Sequence, residues 1–389
     1  MKDLLKFLAM LSIIGLAILV FWVIVSLLPI SDLWKFGLAF VEMAIVGQIM
    51  IRKFGMSGEM GLILLRSKLG LKAIESVSRN APFWKFFSDT GVTLSYGLMG
   101  ALLMRGNSSL KSVLFGLFVL ALIFVLVAPS VAPLLSQVLK MGVIEKAQTS
   151  TQSVSVFLLP VAIGALLIGG LFLLILFSLV FYGSVVLLAL LSTLIQGTDA
   201  IANTAPGGTL LLPGVNLPFV EGVIALVIIM VVHEGAHAIL SRIARVPLFS
   251  SGIVLFGIIP IGAFVEPDEK KLARVDQVAQ TRVLVAGSTA NLFTSIIFFG
   301  LFVAIALSMK SLVVFAPILS GFLYSVYLIL GLCFALNFIV GTVNLLPLPF
   351  FDGYRILDIN IKNKLVLKGI MVLTVISFLM NFLPWFFAK

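Results

Sequence analysis

The sequence predicts an all-α polytopic membrane protein, with roughly 7–9 transmembrane helices and short membrane-associated β-strands beside a candidate active site. Three observations carry this. Of 389 residues, 61% are hydrophobic and 11% charged, where a soluble domain carries roughly 25% charged residues; the mean hydropathy is +1.23. Apolar runs long enough to span a bilayer recur along the chain, with short polar segments between them. Lysine and arginine, in excess by ten charges, gather in a few of those segments, as the positive-inside rule expects. Charge placed this way orients a membrane protein, and no basic and aromatic interleaving points to nucleic acid. The single cysteine, Cys333, cannot form an intramolecular disulfide and reads as a small buried hydrophobe.

Taken in order, Lys2 and Lys6 precede the apolar run Phe7 to Leu28. That run exceeds a cleaved signal core of roughly 7–15 residues, so a retained first span is expected. A second runs from about Leu33 to Met50, and Glu42 and Gln48 within it should face other helices or a cavity. Arg52 to Lys85 is basic, and Leu62, Leu65, Leu69 and Ile74 predict an amphipathic helix on the membrane, or else a solvated linker. Thr93 to Met104, short and carrying Gly97 and Gly100, reads as re-entrant. Leu110 to Ala132 makes a span, and Val154 to Leu194 is long enough for two with a tight turn. Gln196 to Val220 has no basic residue and holds Pro206-Gly207-Gly208, Pro213-Gly214 and Pro218. It predicts a loop on the side opposite the basic segments.

A helix from about Pro218 to Arg242 follows. Six basic residues between Arg242 and Arg282 put its end in the cytoplasm. Leu248 to Val265 is apolar but cut by Gly252, Gly257, Pro260 and Gly262. It predicts a re-entrant or interfacial pair of strands buried against protein. Val283 to Ser308 spans outward, Lys310 marks the turn, and Phe322 to Val343 spans back. Arg355, Lys362, Lys364 and Lys368 mark cytoplasm before a last span, Leu367 to Phe387. The chain divides into an N-terminal transmembrane region, 1–200, with a basic cytoplasmic segment near 52–90, and a membrane core, 201–389.

The chemistry concentrates in His233-Glu234-Gly235-Ala236-His237. The chain has only two histidines, and they lie four apart, on one helix face one turn from each other. Two imidazoles so placed can share a metal ion, and the intervening carboxylate can reach a water on it. Gly222 to Val232 is almost wholly apolar, so the motif lies inside a span. His233 is nine residues before Arg242, or about 13 Å along the axis, which puts it in the membrane toward the cytoplasmic side. A catalytic zinc takes three protein ligands and keeps one open position. With no third histidine, a carboxylate is required, and Asp352 in Asn344-Leu345-Leu346-Pro347-Leu348-Pro349-Phe350-Phe351-Asp352-Gly353 is the best candidate. Two prolines and Gly353 break the helix there, and a carboxylate at that depth needs a partner; the alternative is a cap or turn residue at the interface. Glu266, Asp268 and Glu269 read as solvated loop acids. Glu234, beside a ligand, is better placed as general base. Asn291 is either an oxyanion donor or an amide bridging two helices. Asn337, Gly341 and Asn344 share a helix face and predict a packed polar seam.

On these pieces the chain resembles the site-2 protease family of intramembrane zinc metalloproteases, in an archaeal-type form. The matching segments are His233 to His237, Asn344 to Gly353 and Ala286 to Asn291. Leu212 to Asn216 and Gly262 to Pro267 also resemble family members, and Gly61 to Gly97 faintly resembles archaeal ones. The resemblance implies one Zn2+ per chain held by His233, His237 and Asp352. It makes Glu234 the catalytic base, with Asn291 and Asn344 supporting the site. It also implies a multi-pass protein of the cell membrane that cleaves peptide bonds in or beside the transmembrane segments of single-span substrates. Two departures stand out. Ser288 replaces a common proline, and the fifty or so mostly apolar residues between Asn291 and Asn344 leave no room for a PDZ domain. A substrate helix must unwind before cleavage, and the segment Gly252 to Val265, with Ile253 to Leu255 at its centre, is expected to offer it a strand edge. A metal transporter would need polar groups at several depths, which Ile224 to Val232 lacks. A catalytically silent scaffold is disfavoured by the intact Glu234.

Overall fold

The computed structural model describes residues 2–30, 32–68, 70–131, 134, 155–209, 211, 213–315 and 317–387. Leu69, Ala132, Val154 and Leu212, named above, lie outside the described residues. Eight helices among the described residues are long and apolar enough to cross a membrane, within the expected range, and they are joined by a small antiparallel sheet.

Helices α1 (Lys2–Trp22) and α2 (Asp32–Phe54) pack together at the edge of the molecule. Strands β1 (Gly58–Glu59) and β2 (Leu62–Ser67) follow. Here the amphipathic-helix expectation fails, because Leu62 to Ser67 pair antiparallel with Phe256 to Ser251. A short apolar run fits helix or strand equally, and the partner strand, some 190 residues away, decides between them. The sheet is completed by β3 (Leu248–Phe256) and β4 (Ile259–Pro267), in the order β1-β2-β3-β4. The two strands expected between Leu248 and Val265 are present. However, β3 is paired on both sides, so Ile253 to Leu255 offer no free edge; the sheet's edges are β1 on one side and β4, the strand beside Glu234, on the other. Gly257 makes the β3–β4 turn at φ +61, where a Cβ would fall 2.7 Å from Met43 Sδ of α2.

Glu266 is not a solvated loop acid. Arg66 of β2 donates to it from Nε (3.1 Å) and Nη2 (2.9 Å), and the Ser250 hydroxyl donates to its other oxygen. These hydrogen bonds hold the Glu266 carboxyl below the usual carboxylate range. Asp268 accepts from Lys271 N as a cap, and Glu269 pairs with Arg355 at 2.7 Å.

After α3 (Leu71–Val77), helix α4 (Ala81–Tyr96) starts on an Asn80 cap and has Pro82 in its first turn. Its second half, Ser88 to Tyr96, is wholly buried, and it ends at Gly97 with φ +56. Gly97 packs on Gly170, at φ +61, inside α6 (Ser155–Gln196). Between them lies α5 (Leu110–Leu122). The run between 155 and 196 is therefore two helical pieces that meet at Gly170, whose φ of 61° and ψ of −154° are not helical; of the two expected spans, Pro160–Gln196 is long and apolar enough to count as one. Then come α7 (Phe219–Ile243), α8 (Gln277–Phe315), α9 (Ser320–Val343), α10 (Asp352–Asn360) and α11 (Lys364–Phe382). The helix runs on through Lys310, so the outer turn falls later, at Pro317–Leu319. The main core joins Val92, Leu94 and Tyr96 of α4 to Leu120, Phe172, Leu284, Leu292, Phe334 and Ile356. The N-terminal half of the chain thus contributes both a strand and a central buried helix to the frame around the histidines.

Candidate metal centre

After Glu221 in its first turn, helix α7 is apolar on every face from Gly222 to Val232, as a buried membrane helix must be. Its two histidines sit one turn apart with ring centroids 4.8 Å from each other and planes inclined at 73°. Asp352 reaches them from α10. The chain leaves α9 at Val343, and the loop closes when Gly353 N donates to Asn344 O at 2.8 Å. A Cβ at Gly353 would lie 2.0 Å from Leu345 O, so only glycine permits this closure. Phe350 takes a positive φ of 74° in the same loop, and Asp352 becomes the first residue of α10.

His233 Nε2, His237 Nε2 and Asp352 Oδ2 form a triangle. Its edges are 3.1 Å between the histidines, 3.1 Å from His237 to Asp352 and 3.3 Å from His233 to Asp352. Main-chain and amide partners on the outer nitrogens fix what points inward. His237 Nδ1 lies 2.7 Å from the Val283 carbonyl. A carbonyl only accepts, so Nδ1 carries the proton and Nε2 presents a lone pair. His233 Nδ1 lies 3.1 Å from the Asn291 side-chain amide, whose oxygen is otherwise buried without a partner. A half-turn of the amide sets that oxygen to accept the Nδ1 proton, which satisfies both groups and frees His233 Nε2 as well. Three acceptors then converge on one point. A tetrahedral ion bound at 2.0–2.1 Å separates its ligand atoms by about 3.3 Å, so the donor set and its spacing fit a bound metal. Among the described residues this is the cluster of histidine, cysteine and acidic groups so arranged.

Close packing of α8 makes the triangle possible. A Cβ at Gly287 would stand 2.4 Å from His237 Nε2 and 2.5 Å from His233 Nε2. Ser288 continues a regular helix, and Gly341 of α9 lies against Leu292 and the Ser288 carbonyl. Glu234 is not part of the triangle. Its Oε2 accepts from Val265 N of β4 at 3.2 Å, and the carboxylate lines a cavity of about 450 Å³ together with Ala263, Val265, Asn344, Phe350 and Asp352. Asn344 Nδ2 stands 3.3 Å from His233 Nε2, on the inner side. Of the two asparagines tied to the site by resemblance, Asn291 therefore sits behind a histidine and Asn344 faces the centre. Asn337 stays with its own helix and donates to the Cys333 carbonyl at 2.7 Å.

Sequence reasoning missed the Val283 carbonyl and the Val265 amide, because main-chain groups leave no residue-type signal. It also missed the pair of Asp89 and Arg282, joined at 2.6 and 2.9 Å. Asp89, the one charged residue between Lys85 and Arg105, was a usable signal.

Residues 221–384 match the family model for peptidase family M50. An uncharacterized protein of Methanocaldococcus jannaschii is 43% identical over 77 residues, which is 20% of this chain and 20% of that protein. The chain thus matches about a fifth of the length of that curated relative. No solved structure matches the chain at a significant level.

Proposed function

We propose, from the match of residues 221–384 to peptidase family M50, the site-2 protease family, that the chain is a zinc endopeptidase of the membrane. Its substrates in this reading are single-span membrane proteins, cut in or beside their transmembrane segments. The observation that carries the reading is the convergence of His233, His237 and Asp352, at 3.1 to 3.3 Å, on a helix apolar enough to cross a bilayer. We place the protein in the cell membrane. We place the site toward the cytoplasmic side because Arg242 and Arg355 lie at that end of it. Residues 201–389 hold the catalytic groups, and residues 1–200 supply part of their support.

His233, His237 and Asp352 would hold the ion. When bound, it lowers the pKa of a water toward about 7 and polarises a carbonyl. Glu234 takes the proton of the attacking water and returns it to the leaving amine. The Val265 N–H holds that carboxylate in place, and Asn344 is the amide positioned to donate to the developing oxyanion. A substrate helix satisfies its own backbone groups, so it reaches the cavity only when unwound. The free edge of β4 supplies new partners. Val265 N points outward to Glu234, and Ala263, two residues back, presents its own N–H to the same side.

The test is cleavage of a reconstituted single-span segment by the wild type and by Glu234→Gln. Loss of at least about 10²-fold is expected of the variant, the usual scale of general acid–base catalysis. Cleavage at the wild-type rate by Glu234→Gln would remove Glu234 from the reaction.

A further inference from the structure

We infer that Asp89, in the N-terminal half of the chain, is a positioning residue for the metal site. It acts by clamping the segment of α8 that orients both histidines. This rests on the metal-site reading above. Three contacts of α8 touch the histidines: the Val283 carbonyl on His237, the Gly287 backbone against both inner nitrogens, and the Asn291 amide on His233. They are spaced by four and run down one side of the helix. Arg282 and Thr289 are spaced by seven and lie on nearly the opposite side. Helix α4 grips both of those.

Asp89 receives Arg282 Nε at 2.6 Å and Nη2 at 2.9 Å, a two-pronged pair with side chains only 9% and 18% exposed. A Cβ at Gly91 would lie 1.8 Å from Thr289 Oγ1, so the α4 backbone is pressed onto α8 there. The two grips bracket Val283 and Gly287, and Asn291 follows within a turn. A fork of charged hydrogen bonds in a poorly hydrated site fixes rotation as well as distance. Release of Arg282 lets α8 turn about its axis. A turn of α8 moves the Val283 carbonyl that sets the His237 tautomer.

The experiment uses full-length protein in detergent, stripped of metal and titrated with Co2+ alone. Cobalt affinity and the visible absorption bands of the cobalt form are recorded. The variants are Asp89→Asn, the exchanged pair Asp89→Arg with Arg282→Asp, and Glu75→Ala. The last breaks the exposed Arg242–Glu75 pair between α3 and α7. Asp89→Asn should bind cobalt about tenfold more weakly, the lower end of what outer-shell partners of metal ligands cost, with altered bands. The exchanged pair should return toward wild type, and Glu75→Ala should match it. Wild-type affinity and bands in Asp89→Asn would overturn the inference. So would a fall in the thermal midpoint of the metal-free variant with cobalt binding unchanged, because Asp89 would then serve the fold alone. Should Asp89→Asn not fold, the exchanged pair decides: cobalt binding near wild type supports the clamp, and binding about tenfold weaker than wild type contradicts it. Failure of the wild type itself to bind cobalt would defeat the metal-site reading and the inference with it.

Discussion

At the scale of the residue, the site is governed by who occupies the outer nitrogen of each histidine. Val283 fixes one tautomer and Asn291 the other. The inner faces then converge at metal-ligand spacing, and Gly287 lets α8 lie flat against them. Gly287→Ala puts a methyl carbon where two nitrogens already approach to 2.5 Å or less. It is expected to reduce metal retention by ten-fold or more, within the 10–100-fold range of changes around metal ligands, with little loss of helix content. Dialysis against chelator followed by elemental analysis checks this, and wild-type retention would contradict it. Much of this layer was legible beforehand. A chain with two histidines, four apart in an apolar helix, has few other uses for them, and Asp352 stands out as a lone carboxylate between helix breakers. The rest was hidden because carbonyl and amide partners carry no signature. Glu266 shows the converse error. Its proline-flanked setting reads as solvent, and only the strand register brings Arg66 and Ser250 onto it.

At the scale of the element, the sheet is where sequence and structure differ most. Glycine and proline placement between Leu248 and Val265 was enough to predict strands, but not which of them stays unpaired. That depends on β2, whose leucines fit either periodicity until β3 is beside them. With β3 enclosed, the edge proposed for substrate is that of β4. Ala263→Pro removes an outward N–H there without breaking a ladder bond to β3. We expect cleavage of a model transmembrane segment to fall by roughly ten-fold, the equivalent of one hydrogen bond of about 1.4 kcal/mol, with metal content unchanged. Ile253→Pro, inside the sheet, should instead destabilise the protein. Equal cleavage by Ala263→Pro and wild type would show that the edge takes no part. The break in α6 teaches a similar lesson: Gly169-Gly170 in an apolar run marks both the joint between two helical pieces and a close backbone contact, here with Gly97.

At the scale of the whole molecule, composition and charge asymmetry were sufficient for a multi-pass helical fold, because bilayer thickness and the positive-inside bias act on every span alike. They could not show how the two halves interlock. The N-terminal half inserts β2 beside β3 and α4 beneath α8, through pairings that cross nearly 200 residues, such as Arg66 to Glu266 and Asp89 to Arg282. Helices that reach the bilayer one by one have no local pattern announcing such contacts. The outcome is a candidate metal site, a triangle whose side chains come from α7 and α10, whose tautomers are set by α8, and whose backing comes from α4.

The central claim is that His233, His237 and Asp352 hold one zinc ion and leave Glu234 free. Zinc stoichiometry of the purified protein in detergent tests it most directly, for wild type, Glu234→Gln, His237→Ala and Asp352→Ala. Near one zinc per chain in the first two and loss in the last two is the predicted result. Retention of zinc by Asp352→Ala, or none in wild type after zinc is supplied, would contradict it.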